Sequence, residues 1–235
     1  MIMHEKKLHK GKLLKRYKRF FADIDFQGQQ IIAHVPNTGS LKSCLFPDQN
    51  CFFSDADNPE RKLKYTLEIL ETPTGLVGVN TQTPNLMMKK AIEAKLLDHW
   101  KNFDIIKPEF KINSETRLDF KLENSQSHKS HFIEVKNVSL MDKGVALFPD
   151  AETTRGQKHI KELVHLMELG HSCEIVFFVQ RSDVHKFSPA SEIDPEYAKL
   201  LKLAAEKGLI ISPIVCSVTE KGIILNKKVL PVEFR

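Results

Sequence analysis

The sequence predicts an α/β protein in two parts: a small β-barrel over residues 1–82, then a mixed sheet with flanking helices over residues 83–235. Three observations lead there. Short β-prone runs separated by Gly, Asp and Pro turns fill roughly the first eighty residues. Helical periodicity begins at Thr83-Pro84, where the composition changes. Beyond it a strand hairpin is followed by helix, strand, helix and strand, the order of a mixed sheet covered by helices.

Composition sets the class. A chain of 235 residues that is 41% hydrophobic and 28% charged can bury a substantial core and lacks the bias of disorder. No run approaches the ~18 apolar residues of a membrane span, and the N-terminus has no apolar stretch ahead of a cleavage site, so a cytoplasmic protein is expected. Cys44, Cys51, Cys173 and Cys216 form no C-x-x-C ligand set and read as reduced thiols. The net charge of +5 is uneven: residues 1–23 hold eight Lys and Arg against Glu5 and Asp23. Clustered cations suit phosphate, and the partner expected is nucleic acid, with no membrane. The first ten residues also read as a frayed, solvated tail.

In the barrel, strands are expected at 13–20, 22–26 and 31–35, then at 65–70 and 76–79 around Gly75. Arg16, Lys18 and Arg19 interleave with Tyr17 and Phe20, cations for phosphate and rings for stacking, although the rings are expected to serve the barrel core. Residues 36–40, PNTGS, form a tight turn whose N–H groups could nest an anion; a structural turn is the commoner meaning. Arg61 and Lys62 extend the basic face.

Thr83 as N-cap and Pro84 at the first position start a helix expected to reach about Trp100, with Met88, Ile92 and Leu96 as its apolar stripe. Glu93 at the edge of that stripe is a candidate extra carboxylate or an i, i+4 partner of Lys89. Later, Thr153 or Thr154 caps a helix that buries Ile160, Leu163, Val164 and Met167 and ends at Gly170. Gln157, Lys158 and Lys161 lie on its other side, where the helix N-terminus favours a phosphate. A strand buried on both faces follows at 173–179, then a helix from Asp194-Pro195 to Gly208, a strand at 209–218 and a short one at 223–225.

The chemistry is expected in residues 115–137. In 117–122, Leu118, Phe120 and Leu122 alternate with Arg117, Asp119 and Lys121, so Asp119 points away from the core face. In 132–138, Phe132, Glu134 and Lys136 share one face. A polar loop joins the two runs as a hairpin. If Leu122 faces His131, Asp119 faces Glu134, and facing residues have Cβ atoms roughly 4.5–5.5 Å apart. Two carboxylates there need compensation, which a divalent cation supplies. The residues equally allow Asp119 to bridge Arg117 or Lys136 on a solvated face. An Asp followed by Glu-x-Lys on the next strand is the constellation of the PD-(D/E)xK nuclease fold. Phosphate-loop, dinucleotide, serine-hydrolase and zincin motifs are missing, and His159, His165 and His171, six apart, do not share a helical face.

The segments RYKRF (16–20), PNTGS (36–40), NPERKLKYT (58–66), VGVNT (77–81), RLDF (117–120), EVKN (134–137), FPDAETTRGQKH (148–159), VQRSD (179–183) and IDPEYAKLL (193–201) resemble, in that order, the sugar fermentation stimulation protein family. Val35, Leu41 and Lys121 depart from its pattern. The resemblance implies an OB-like barrel followed by a PD-(D/E)xK nuclease-like domain in a DNA-binding protein. One function it implies is a Mg²⁺- or Mn²⁺-dependent nuclease on single- or double-stranded DNA. There Asp119, Glu134 and the Val135 carbonyl hold the ion, Lys136 positions water, and Glu93, Gln157, Lys158 and Lys161 assist. The alternative is a non-hydrolytic, largely sequence-nonspecific DNA-binding regulator linked to sugar (maltose) metabolism. A homo-oligomer is compatible with either.

Overall fold

The computed structural model describes residues 2–56, 58, 60–114, 116–127 and 129–234. Met1 of the basic terminus and Pro59 of the Asn58-Pro59 turn lie outside them. Strand β1 (Ile2–Glu5) comes first, followed by β2 (Leu8–Tyr17), β3 (Phe21–Phe26), β4 (Gln29–His34), β5 (Asn50–Asp55), β6 (Tyr65–Thr72) and β7 (Gly75–Gly78). The six strands after β1 form one sheet in the order β4-β3-β2-β5-β6-β7, and parallel pairing of β4 with β6 closes β2 to β6 into a five-stranded barrel. Leu13, Ala22, Ile24, Cys51, Phe53 and Leu67 fill it.

Two expectations for this part are corrected. Strand β1 pairs antiparallel with a strand near the C-terminus, so residues 2–5 belong to the second sheet rather than to a frayed tail or to the barrel. Strand β2 stops at Tyr17, because Lys18 and Arg19 take φ of +47° and +63°. Phe20 is then 43% exposed, and Tyr17 stacks on Phe21 at 5.4 Å outside the core. A bulge between Leu13 and Lys15 resets which side chains face inward, and strict alternation cannot register such a shift.

The second part runs α1 (Thr83–Glu93), a 3₁₀ turn (Asp98–Asn102), β8 (Ile105–Lys111), β9 (Arg117–Glu123), β10 (Ser130–Val138), β11 (Met141–Asp142), β12 (Val145–Phe148), α2 (Thr154–Glu168), β13 (Ser172–Val179), β14 (Lys186–Pro189), α3 (Pro195–Glu206), β15 (Ile210–Thr219) and β16 (Gly222–Val229). Its main sheet has seven strands in the order β1-β16-β15-β13-β10-β9-β8, with β10, β13 and β15 parallel. Helices α2 and α3 cover one face through Ile160, Leu163, Tyr197 and Leu201. Helix α1 covers the other through Met87, Met88, Ala91 and Ile92. Among the described residues no helix is long and apolar enough to cross a membrane.

The helix expected up to Trp100 is two pieces. Lys95 takes φ +52°, which ends α1, and the 3₁₀ turn then buries Trp100. Gln82, not Thr83, is the N-cap; the Thr83 side chain is buried. Strand β8 escapes sequence reading because it is largely exposed and contains Pro108, which no alternating pattern accommodates.

Side chains lock barrel and sheet together. Arg181 is 0% exposed; it donates to the Ser139 carbonyl at 2.7 Å and to both oxygens of Asp183 at 2.6 Å. Asp183 in turn accepts from Thr74 in the β6–β7 turn. The PNTGS turn is a second clasp. Arg16 donates to the carbonyls of Asn37, Gly39 and Ser40 at 2.8, 2.9 and 3.1 Å, while the Ser40 N–H donates to Asp150 at 2.9 Å. A Cβ on Gly39 would stand 2.1 Å from the Asp150 carboxylate, so a side chain there would push Asp150 off the turn. The anion expected in this nest is therefore Asp150, and the Arg16 guanidinium is committed to the turn rather than offered to a ligand.

Arg181→Ala empties a fully buried site and strips the half-buried Asp183 carboxylate of its partner, and should cost about 3 kcal/mol in urea unfolding. Arg117→Ala, which removes an exposed 3.2 Å pair with Glu109, should cost less than about 1 kcal/mol. Equal losses from the two would show that Arg181 is not the clasp described.

Candidate active site

Strands β9 and β10 pair with Leu122 opposite His131, Lys121 opposite Phe132 and Phe120 opposite Ile133. The ladder ends there. One step on, Asp119 turns its carboxylate into the gap. Its Oδ2 accepts the Val135 N–H at 2.7 Å and its Oδ1 accepts from the Asn85 amide of α1 at 2.6 Å. The β10 residues Phe132, Glu134 and Lys136 face α2, as alternation requires. Glu134 is buried, and its Oε1 accepts from Lys136 Nζ at 2.6 Å and from His159 Nδ1. Lys136 Nζ also stands 3.3 Å from His159 Nδ1. The second oxygen of Glu134, Oε2, is buried without a hydrogen-bond partner. Leaving such an acceptor bare costs about 1–3 kcal/mol, more when it is charged.

The two carboxylates are electrostatically unlike. Burial first, and then the charge of Glu134, pushes Asp119 up to about 7. Burial by itself would raise Glu134, but the Lys136 ammonium and His159 outweigh it and hold that group below its usual value. A donor set of two carboxylates, one with a bare buried oxygen, is the chemistry that hard divalent cations prefer.

A cleft of about 390 Å³ adjoins the cluster through His159, and Lys111, Thr116, Arg117, Arg155 and Lys158 line it. The other residues singled out in the sequence are distributed as follows. Lys161 is exposed on α2. Lys18 and Arg19 line a second cleft of about 420 Å³ on the barrel, together with Tyr17. Arg61 and Lys62 line a third of about 470 Å³ beside His34, with Arg61 donating to Thr66 at 3.2 Å. Glu93 stands outside the cluster: it is exposed and 4.0 Å from Lys89. Asn85, two turns earlier on α1, is the residue that reaches Asp119. The Gln157 amide donates to both oxygens of Asp194 at 2.9 and 3.2 Å and so ties α2 to the start of α3.

Sequence reading passed over His159 and Asn85. A sign of the first was available, since His159 occupies the buried stripe of α2 with Gly156, Ile160 and Leu163, where a polar residue needs a partner. Nothing local marks Asn85.

The profile of the sugar fermentation stimulation protein RE domain matches residues 82–222, and that of the SfsA N-terminal OB domain matches residues 14–79. A sugar fermentation stimulation protein homolog of Bdellovibrio bacteriovorus is 56% identical over 97% of this chain and 98% of its own length. A homolog of the same description from Shewanella sp. is 42% identical over 90% and 92%. The structure of Pyrococcus furiosus SfsA in complex with Ca²⁺ is similar with a TM-score of 0.89 and 31% identity, covering 99% of each chain.

The raised Asp119 carboxyl makes a pH prediction. Unfolded, the group ionises near its ordinary 3.8; folded, it keeps its proton up to about 7. The stability this proton confers is complete below about pH 4 and is lost as pH rises through about 7. Asp119→Asn in chelator should therefore be more stable than wild type at pH 8, by a few kcal/mol on the scale of about 1.4 kcal/mol per pKa unit, and equal to it at pH 4. Urea midpoints at the two pH values test this; a variant less stable at pH 8 refutes it.

Proposed function

This chain belongs to the sugar fermentation stimulation protein family, and from that premise we propose that it is a DNA-binding phosphodiesterase. It acts with Mg²⁺ or Mn²⁺ held by Asp119, Glu134 and the Val135 carbonyl. The observation that carries this reading is Glu134 Oε2, a buried acceptor without a partner, near enough to the Asp119 carboxylate for the charge of one to raise the pKa of the other. The Ca²⁺ in the Pyrococcus furiosus relative, an ion that takes oxygen ligands, supports a hard cation here.

Such an ion supplies Lewis-acid polarisation of a phosphoryl oxygen and a lowered pKa for its bound water. The chain's own residues do the rest. Lys136 orients the attacking water and stabilises charge developing on the phosphate. His159 fixes Glu134 from α2, and Asn85 fixes Asp119 from α1. Lys111, Arg117, Arg155 and Lys158 receive the backbone phosphates on either side of the scissile one. On the barrel, Lys18 and Arg19 beside the outward Tyr17 and Phe20 offer cations and stacking surfaces to a strand that continues there, and Arg61 and Lys62 extend the path. Arg16, expected among these cations, acts by shaping the turn beneath them. Glu93 and Gln157, expected to assist the chemistry, keep structural roles in α1 and at the α2–α3 junction.

Purified protein incubated with single- and double-stranded DNA should cleave only with Mg²⁺ or Mn²⁺. Asp119→Asn and Glu134→Gln should each lose about 10³-fold or more in rate while still binding DNA. Arg155→Ala or Lys158→Ala should weaken binding to all sequences alike and lower its salt dependence by about one ion each. Salt-sensitive binding by the wild type without cleavage under either metal would overturn hydrolysis in favour of the regulatory, non-hydrolytic reading.

A further inference from the structure

The face of the main sheet opposite Glu134 carries another buried carboxylate. Glu174 of β13 is 0% exposed and pairs in register with Ile133, beside Trp100, Val176 and Phe178. Three nitrogens converge on its Oε2: Trp100 Nε1 at 2.8 Å, His99 Nε2 at 3.0 Å and His131 Nε2 at 3.0 Å. Among the described residues, its ion-pair partners are these two imidazoles and no Lys or Arg. Isolated burial of a carboxylate is costly, so an apolar layer tolerates it only where a cation or a full set of donors compensates.

The two imidazole nitrogens and a Glu174 oxygen lie within 4.8 Å of one another. Around a tetrahedral ion bound at about 2.0–2.2 Å, ligand atoms stand about 3.4 Å apart, so the three need to move by less than about an ångström to share one. Two of the three are also held from behind. His131 Nδ1 bonds Ser172 Oγ, and Glu174 Oε1 accepts from Ser212 Oγ, which leaves His131 Nε2 and Glu174 Oε2 turned toward each other. Metal-ligating imidazoles are oriented by such outer hydrogen bonds. The His99 side chain is 36% exposed, so the cluster is open to solvent on one side.

We propose that His99, His131 and Glu174 form a second metal site, for an ion of the Zn²⁺ class, with water as fourth ligand. Two imidazoles and one carboxylate suit such an ion and disfavour Mg²⁺, which takes oxygen. The ion ties the 3₁₀ turn to β10 and β13, and the sheet separates it from Glu134.

The test uses the full chain carrying Asp119→Asn, stripped with chelator and titrated with ZnCl₂ by calorimetry. One Zn²⁺ per chain is expected, with a rise in Tm and no displacement by excess Mg²⁺. His99→Gln added to this background should weaken binding at least about 100-fold and abolish the Tm rise, and Ser172→Ala should weaken it about 10–100-fold. Because His99 is part-exposed, its replacement is compatible with folding, which circular dichroism checks. Lack of stoichiometric uptake, or uptake that survives His99→Gln, would overturn the site and leave the imidazoles as hydrogen-bond partners of Glu174 alone.

Discussion

Two carboxylates close enough to feel each other's charge are the constraint around which this molecule is built. Asp119 and Glu134 sit where β9 and β10 part, and each is held by groups from a different element. Asp119 takes a backbone N–H of β10 and an amide of α1, whereas Glu134 takes Lys136 and His159 of α2. Burying carboxylates without such partners would cost several kcal/mol apiece. The helices on both faces of the sheet therefore do more than cover apolar surface. They deliver the donors that let the pair exist, and they stop one acceptor short, at Glu134 Oε2.

The barrel is fixed relative to this pair by charged side chains at least half withdrawn from water. Buried Arg181 holds Asp183, which binds Thr74 of the barrel, and Asp150 accepts from the PNTGS turn that Arg16 braces. Buried ion pairs of this kind favour one arrangement over others more than they add net stability. The consequence is a fixed set of cation-lined clefts on the barrel and beside α2.

Each face of the main sheet thus buries one carboxylate, in different company. Glu134 has an ammonium, an imidazole and a bare oxygen; Glu174 has two imidazoles, an indole N–H and a hydroxyl. A bare oxygen near a second carboxylate on one side and two imidazole nitrogens on the other direct the two toward different partners.

The hairpin was legible in the sequence for a physical reason. Alternation with a period of two assigns every side chain a face, and the loop between Glu123 and Ser130 leaves one register that buries Leu118, Phe120 and Leu122, the register the strands adopt. The buried parallel strand β13 and the caps of α2 and α3 were legible likewise, from composition and local hydrogen bonding. What tertiary structure alone decided involves residues far apart in the chain. The sequence could not show that Arg16 would be consumed by residues 37–40, that a left-handed turn at Lys18 and Arg19 would leave Phe20 exposed, or that β1 would join the far edge of the second sheet. Nor could it show that Asn85 and His159 would meet Asp119 and Glu134, or that His99 and His131 would close on Glu174. Periodicity and caps are written within a few residues, whereas the partner of a buried polar group is chosen by how whole elements pack.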